Sequence, residues 1–241
     1  MPEYDALLFV SFGGPERAED VMPFLENVTR GRGIPRERLQ IVAEHYRHLG
    51  GMSPINDQNR ALISALRQDL ESHGLTLPIY LGNRNWAPLL TDVVAVMKEA
   101  GVKRALAFIT SAYSSYSGCR QYLGDIEQAR TAVDGAPIIE PLRRFFNHPG
   151  FVEACVERVR AAWDQLGVSS GAHVRSEARL VFTAHSIPRA MAATCDYEKQ
   201  LRATAALIAE RLGQADWDLV WQSRSGPPQV PWLEPDILDH V

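Results

Sequence analysis

The chain has 241 residues, 46% hydrophobic and 22% charged, which is enough apolar material to bury a core without disulfide or metal staples. Its formal net charge of −4 is at odds with a nucleic-acid binder carrying a broad basic face. No apolar run reaches the ~20 residues of a membrane span, and Met1 to Asp5 lack a signal-peptide charge pattern, so the expected compartment is the cytoplasm.

Asp5 to Phe12 is an apolar run that predicts a buried parallel strand, turned by Gly13-Gly14-Pro15 into a helix starting near Glu16. The turn resembles a phosphate-binding loop but lacks the G-x-G-x-x-G pattern. Arg38–Leu49 and Asn59–Ser72 have helical periodicity and flank the turn-rich piece Gly50 to Asn56. Leu77–Leu81 predicts a second strand, Leu89–Ala100 a helix and Val102–Thr110 a third strand. That strand runs into a hydroxyl-rich loop, Ser111 to Cys119, and a helix carrying Tyr122. Pro137–Glu140 is a short fourth strand.

Pro141 to Gly150 is rich in turn formers and marks a domain crossing, giving domains over residues 1–145 and 146–241. Phe151–Leu166 predicts a helix, Val168–Ser176 a polar loop, Arg179–Ala184 a strand, Tyr197–Leu212 a helix and Trp217–Gln222 a strand. A proline-rich loop, Ser223 to Trp232, follows. No internal repeat is visible in the sequence. Strands alternating with helices imply an α/β fold with doubly wound parallel sheets.

Asp236–Val241 reads as the first turn of a helix capped by Asp236. The second α/β unit then has two strands and an uncovered sheet edge. The expectation is a chain truncated at its C-terminus, with an incomplete second lobe that is marginally stable beyond about residue 178 and inactive on its own.

The most informative stretch is Leu180 to Pro188, an apolar strand that ends in His185. Ligands of open α/β sheets bind outside the carboxyl ends of the strands. A histidine there suits proton transfer or metal binding near neutral pH, while a satisfied capping histidine is the structural alternative. Tyrosines and hydroxyls crowd the same strand ends, which suits a flat apolar ligand with a polar rim, or half-buried packing. Cys119, Cys155 and Cys195 are few, odd in number and far apart, so they form no disulfide framework and read as buried apolar residues.

Four motifs together resemble ferrochelatase: Val10 to Pro15, Gly50 to Asn56, Phe182 to Pro188, and Trp221-Gln222-Ser223 with Pro231 to Asp236. The similarity runs from about residue 4 to the last residue and is greatest to the actinobacterial branch acting on coproporphyrin III. The resemblance implies two Rossmann-like lobes with a porphyrin cleft between them. It implies a lyase of haem biosynthesis that inserts Fe²⁺, its substrate, into coproporphyrin III. His185 matches the family's catalytic histidine, as proton acceptor or transient metal ligand. Ser53 matches a propionate-binding serine, and Tyr122 a tyrosine lining the porphyrin site. Partners are then porphyrin and ferrous iron, with no nucleic acid, no transmembrane segment and an unspecified oligomer.

Three departures stand out. Phe12 replaces a first-loop tyrosine of many bacterial members, making Tyr122 the candidate axial oxygen. His45 stands where some members have a propionate-binding arginine, with Arg30 or Arg32 as compensation. The family's catalytic glutamate lies downstream of the Pro-Trp-Leu motif, past Val241. Cys155 matches one ligand of a [2Fe–2S] cluster found in some members, whose other three cysteines lie further downstream; the cluster is expected only in a longer chain. Alternatives to the coproporphyrin reading are a protoporphyrin IX ferrochelatase and a non-catalytic porphyrin- or haem-binding protein of the same fold.

Overall fold

Ala6–Ser11 form β1, buried along its whole length because both faces of this strand are covered by chain. A computed structural model describes residues 3–48, 50–115, 120–167, 179–225 and 229–240. The polar loop Val168–Ser176, Tyr116, Cys119 and the tip of the proline-rich loop fall outside the described residues. The described chain divides into two compact units, Met1–Thr110 with Gln121–Leu142, and Ser111–Arg120 with Arg143–Val241.

The first unit contains β1, a single 3₁₀ turn (Ala18–Asp20), α1 (Val21–Val28), α2 (Arg36–His48), α3 (Ile55–Ser72), β2 (Ile79–Asn83), α4 (Leu90–Glu99), β3 (Arg104–Ile109), α5 (Gln121–Thr131) and β4 (Ile138–Pro141). Its parallel sheet has the order β2-β1-β3-β4, so β1 is flanked on both sides. The sheet buries one face, Ala6, Leu8, Val10, Ala105, Ala107 and Ile109, under α4 and α5. Helix α4 supplies Leu90, Val93, Val94 and Met97, an i, i+3, i+4, i+7 stripe. On the opposite face Leu7, Phe9, Leu106 and Phe108 meet Leu62, Leu66 and Leu70 of α3 around an apolar cavity of about 330 Å³.

The second unit contains α6 (Pro149–Gln165), β5 (Leu180–His185), α7 (Arg189–Ala192), α8 (Tyr197–Leu212), β6 (Trp217–Gln222) and α9 (Ile237–His240). Strands β5 and β6 pair in parallel from Leu180↔Trp217 to His185↔Gln222. Val152, Val156 and Trp163 of α6 pack on Ile208 and Leu212 of α8. Trp221, 1% exposed, sits with Ala184, Leu201 and Leu219 in a second cluster. The α/β class with parallel sheets expected from the alternation of strands and helices is the class observed.

Element boundaries moved where polar contacts outrank periodicity. No helix starts at Glu16: its N–H donates to Asp20 Oδ2 at 3.2 Å, Arg17 is extended, and α1 begins at Val21. Helix α6 starts at Pro149 rather than Phe151, with Pro in the first turn and His148 Nδ1 accepting the Gly150 N–H at 3.2 Å.

A repeat silent in the sequence is present in the backbone. After β2 the chain turns back so that Asn83 N–H donates to Pro88 O at 2.7 Å; after β6, Trp221 N–H donates to Pro235 O at 2.9 Å. Each return carries a tryptophan, Trp86 or Trp232, a cis X-Pro bond, and the start of a helix. Among the described residues, no helix is long and apolar enough to cross a membrane.

Candidate active site

In the first unit the carboxyl ends of β1 and β2 lie side by side, with Ser11 paired to Asn83. The loop leaving β1 is locked by two glycines. Gly13 has φ +76°, and a Cβ there would lie 2.8 Å from Asn83 Cβ. A Cβ on Gly14 would lie 2.7 Å from Ser53 Cβ and 2.8 Å from Ser53 Oγ. The two loops are stitched together, because Ser53 N–H donates to Pro15 O at 2.8 Å. Ser53 is half-buried, and its hydroxyl accepts the Ile55 N–H at 3.4 Å at the start of α3.

Beside this loop stands an aromatic group. Phe24 meets Phe12, Tyr46 and Trp86 edge-on, with ring centroids 6.2, 6.3 and 6.1 Å away. Burial pushes the Tyr46 phenol up. Sequence reasoning singled out Phe12 but missed Phe24 and Trp86; the signal available for Trp86 was its place in a polar turn just after a strand. His45 is exposed.

Tyr122 lies near the start of α5, 6% exposed, its ring within the core under the sheet. The Arg84 guanidinium sits 5.9 Å from the ring centroid and pairs with Asp125 at 2.9 Å. Burial pushes the Tyr122 phenol up to about 12 despite Arg84, and burial also raises the Asp125 carboxyl.

In the second unit His185 is the last residue of β5 and is exposed, whereas Ala184 before it and Ser186 after it are buried. The strand therefore ends by presenting the imidazole rather than packing it. Its backbone carbonyl accepts the Tyr197 hydroxyl at 3.1 Å. Tyr197 in turn packs on Tyr113 and Trp221, and burial pushes its phenol up to about 12.

The segment after His185 is zipped to the proline-rich loop. Ser186 N–H donates to Gln222 O at 2.8 Å and Ser186 Oγ to Leu233 O at 2.9 Å. Leu233 N–H donates to Ile187 O at 3.1 Å, and Arg189 donates from its N–H to Pro231 O and from Nε to Trp232 O. The histidine motif is thus hydrogen-bonded to the end of β6 and to Pro231, Trp232 and Leu233. Trp232 is 8% exposed, and its buried indole N–H has no hydrogen-bond partner among the described residues.

Cys155 lines an apolar cavity of about 430 Å³ with Phe151, Phe182 and Leu201, and burial pushes its thiol up. Among the described residues no group of three His, Cys, Asp or Glu side chains could hold a metal. Among the described residues Cys155 is a free cysteine, at most one of the four ligands a [2Fe–2S] cluster takes.

Comparison with known proteins agrees with the motifs. Curated relatives include a ferrochelatase of Rhodopirellula baltica, 56% identical over 242 residues covering 100% of this chain and 68% of the relative. A coproporphyrin III ferrochelatase of Mycobacteroides abscessus is 55% identical, covering 99% of this chain and 69% of the relative. One of Nocardia farcinica is 56% identical over 98% of this chain and 69% of its own length. A profile of the ferrochelatase family matches residues 4–241. With that match over nearly its whole length, the chain belongs to the ferrochelatase family.

Proposed function

We propose that the protein inserts Fe²⁺ into coproporphyrin III to give the iron porphyrin, a step of haem biosynthesis. Two relatives that bear that name at 55–56% identity support the substrate. The observation that carries the reaction is the exposed imidazole of His185 at the carboxyl end of β5, next to the backbone that Ser186 and Arg189 tie to the Trp232 segment.

Insertion releases two protons: both pyrrole N–H bonds break, the electron pairs left on those nitrogens and the lone pairs of the other two are shared with the iron, and the metal stays Fe²⁺. A free ring nitrogen of His185 accepts the pyrrole protons one after the other and passes each to water, or holds the incoming metal. The rim of the macrocycle is the handle. Ser53 donates its hydroxyl to a propionate carboxylate, a charge-assisted bond, and the edge-on aromatics around Phe24 offer an apolar wall. Tyr122 is the proposed oxygen on the iron of the product.

Anaerobic incubation with Fe²⁺ and either coproporphyrin III or protoporphyrin IX tests the assignment. The expected result is the metalloporphyrin spectrum appearing faster with coproporphyrin III. Faster turnover of protoporphyrin IX overturns the substrate, and tight binding of both without insertion indicates a binding protein.

Ser53→Ala is expected to weaken porphyrin binding about tenfold, the worth of one hydrogen bond to a charged group, with turnover at saturation nearly unchanged. Fluorescence quenching titrations read the dissociation constant, and an unaltered value removes Ser53 from the site. Tyr122→Phe is expected to change the visible and resonance Raman spectra of the bound iron porphyrin while costing under about 1.5 kcal/mol of stability, since one hydroxyl is lost. Coincident spectra leave Tyr122 as packing for the core and for Arg84.

A further inference from the structure

Asn56 is 1% exposed in the first turn of α3, and its carboxamide is used at both ends. Nδ2 donates to Gly14 O at 3.3 Å and to Glu16 Oε1 at 2.8 Å. Oδ1 accepts from Asn83 Nδ2 at 3.2 Å, and the same Asn83 nitrogen donates to Ala87 O at 3.0 Å. One amide therefore ties together the loop leaving β1, the end of β2 and the start of α3. Gly14, whose carbonyl it holds, is the residue pressed against the Ser53 side chain.

We propose that Asn56 is a positioning residue for porphyrin binding: by clamping Gly14 and Glu16 it fixes where the Ser53 hydroxyl stands. The inference rests on the reading of Ser53 as a propionate contact. The chemistry of the clamp needs an amide. A carboxylate at position 56 loses both donated bonds and sets a buried like charge against the partly exposed Glu16. A glutamine at position 16 reverses this, since its amide can donate to the new carboxylate. Glu16→Gln alone is the control that sets the reference for the double variant, and its side chain keeps a carbonyl oxygen to which Asn56 Nδ2 can donate. Glu16 also pairs with Arg60, which keeps Asp57 as a second partner at 2.7 Å.

The test measures coproporphyrin III affinity by fluorescence quenching, and hydrogen exchange at the Ser53 amide, which is bonded to Pro15 O. Asn56→Asp is expected to weaken binding about tenfold and speed exchange at Ser53, with Glu16→Gln restoring most of both. In a Ser53→Ala background, Asn56→Asp should add little, because the clamp acts through that hydroxyl. Wild-type affinity in Asn56→Asp while Ser53→Ala binds weakly overturns the proposal, as does full multiplication of the two losses. Unchanged affinity in Ser53→Ala defeats the propionate contact instead. The clamp is then decided by exchange at Ser53, which Asn56→Asp must speed and Glu16→Gln must restore. Asn56→Ser keeps one donor and adds no charge, so it serves if the aspartate variant does not fold. It should give an intermediate loss, and wild-type affinity there also overturns the clamp.

Discussion

Replacing His185 with alanine is expected to slow iron insertion by about 10²–10⁴-fold, the usual worth of a positioned acid–base group. Porphyrin should still bind. The ring is exposed at the end of β5 and contributes no core packing, so the fold tolerates its removal. The Tyr197 hydroxyl bonds to the backbone carbonyl of residue 185, which alanine retains. On the proposed role of His185 the loss should fall on the chemical step, through a missing proton acceptor or a missing metal ligand. Anaerobic turnover at saturating porphyrin, paired with a binding titration, separates the two effects. Turnover near wild type would move the proton acceptor elsewhere.

The second large effect concerns stability. Trp221→Ala is expected to cost about 3–5 kcal/mol, the range for emptying a buried aromatic site. Trp221 is 1% exposed, packs on Tyr197 with centroids 6.0 Å apart, and shares a cluster with Ala184, Leu201 and Leu219. A loss of that size is a large part of the roughly 5–15 kcal/mol that holds a typical domain folded. Urea unfolding should show an early transition. Hydrogen exchange should locate it in β5, β6 and α8, while β1, β2 and β3 keep their protection. Equal loss of protection in both units would show that they unfold as one, contrary to this prediction.

Much of this architecture could be read from residues alone, where a buried stripe or an apolar run was long enough. The α8 helix and β6 were bounded correctly, because each sits between clear turn residues. The strand-end position of His185 was equally legible: Leu180 to Ala184 has the composition of a strand, and the Ser186-Ile187-Pro188 that follows cannot extend it. The helix expected from Asn59 begins instead at Ile55, because the Ser53 hydroxyl takes the Ile55 N–H and Asn56 is buried by contacts far along the chain. Bonds between residues 42 or 27 positions apart leave no periodicity to detect. The same holds for the zip of Ser186 and Arg189 to the Trp232 loop, and for the Phe24 aromatic group, whose members come from separate elements. The domain crossing placed at Pro141 to Gly150 shows in the sequence as turn formers. The assignment of Ser111 to Arg120 to the second unit is decided by partners such as Gln200, which takes the Ser114 N–H at 2.6 Å.

The locked loop of Gly13 and Gly14 has a bearing on attempts to change which porphyrin the protein accepts. A methyl group at either position would collide with Asn83 or Ser53, so this stretch of backbone cannot serve as a dial. Phe12 and Met52, one on each stitched loop, are 37% and 45% exposed. The seam beneath them is a backbone bond that their side chains do not make, though the Phe12 ring also meets Phe24 edge-on. A library aimed at new macrocycles should therefore vary positions 12 and 52 and leave 13 and 14 untouched, trading shape at the surface against a seam that stays constant.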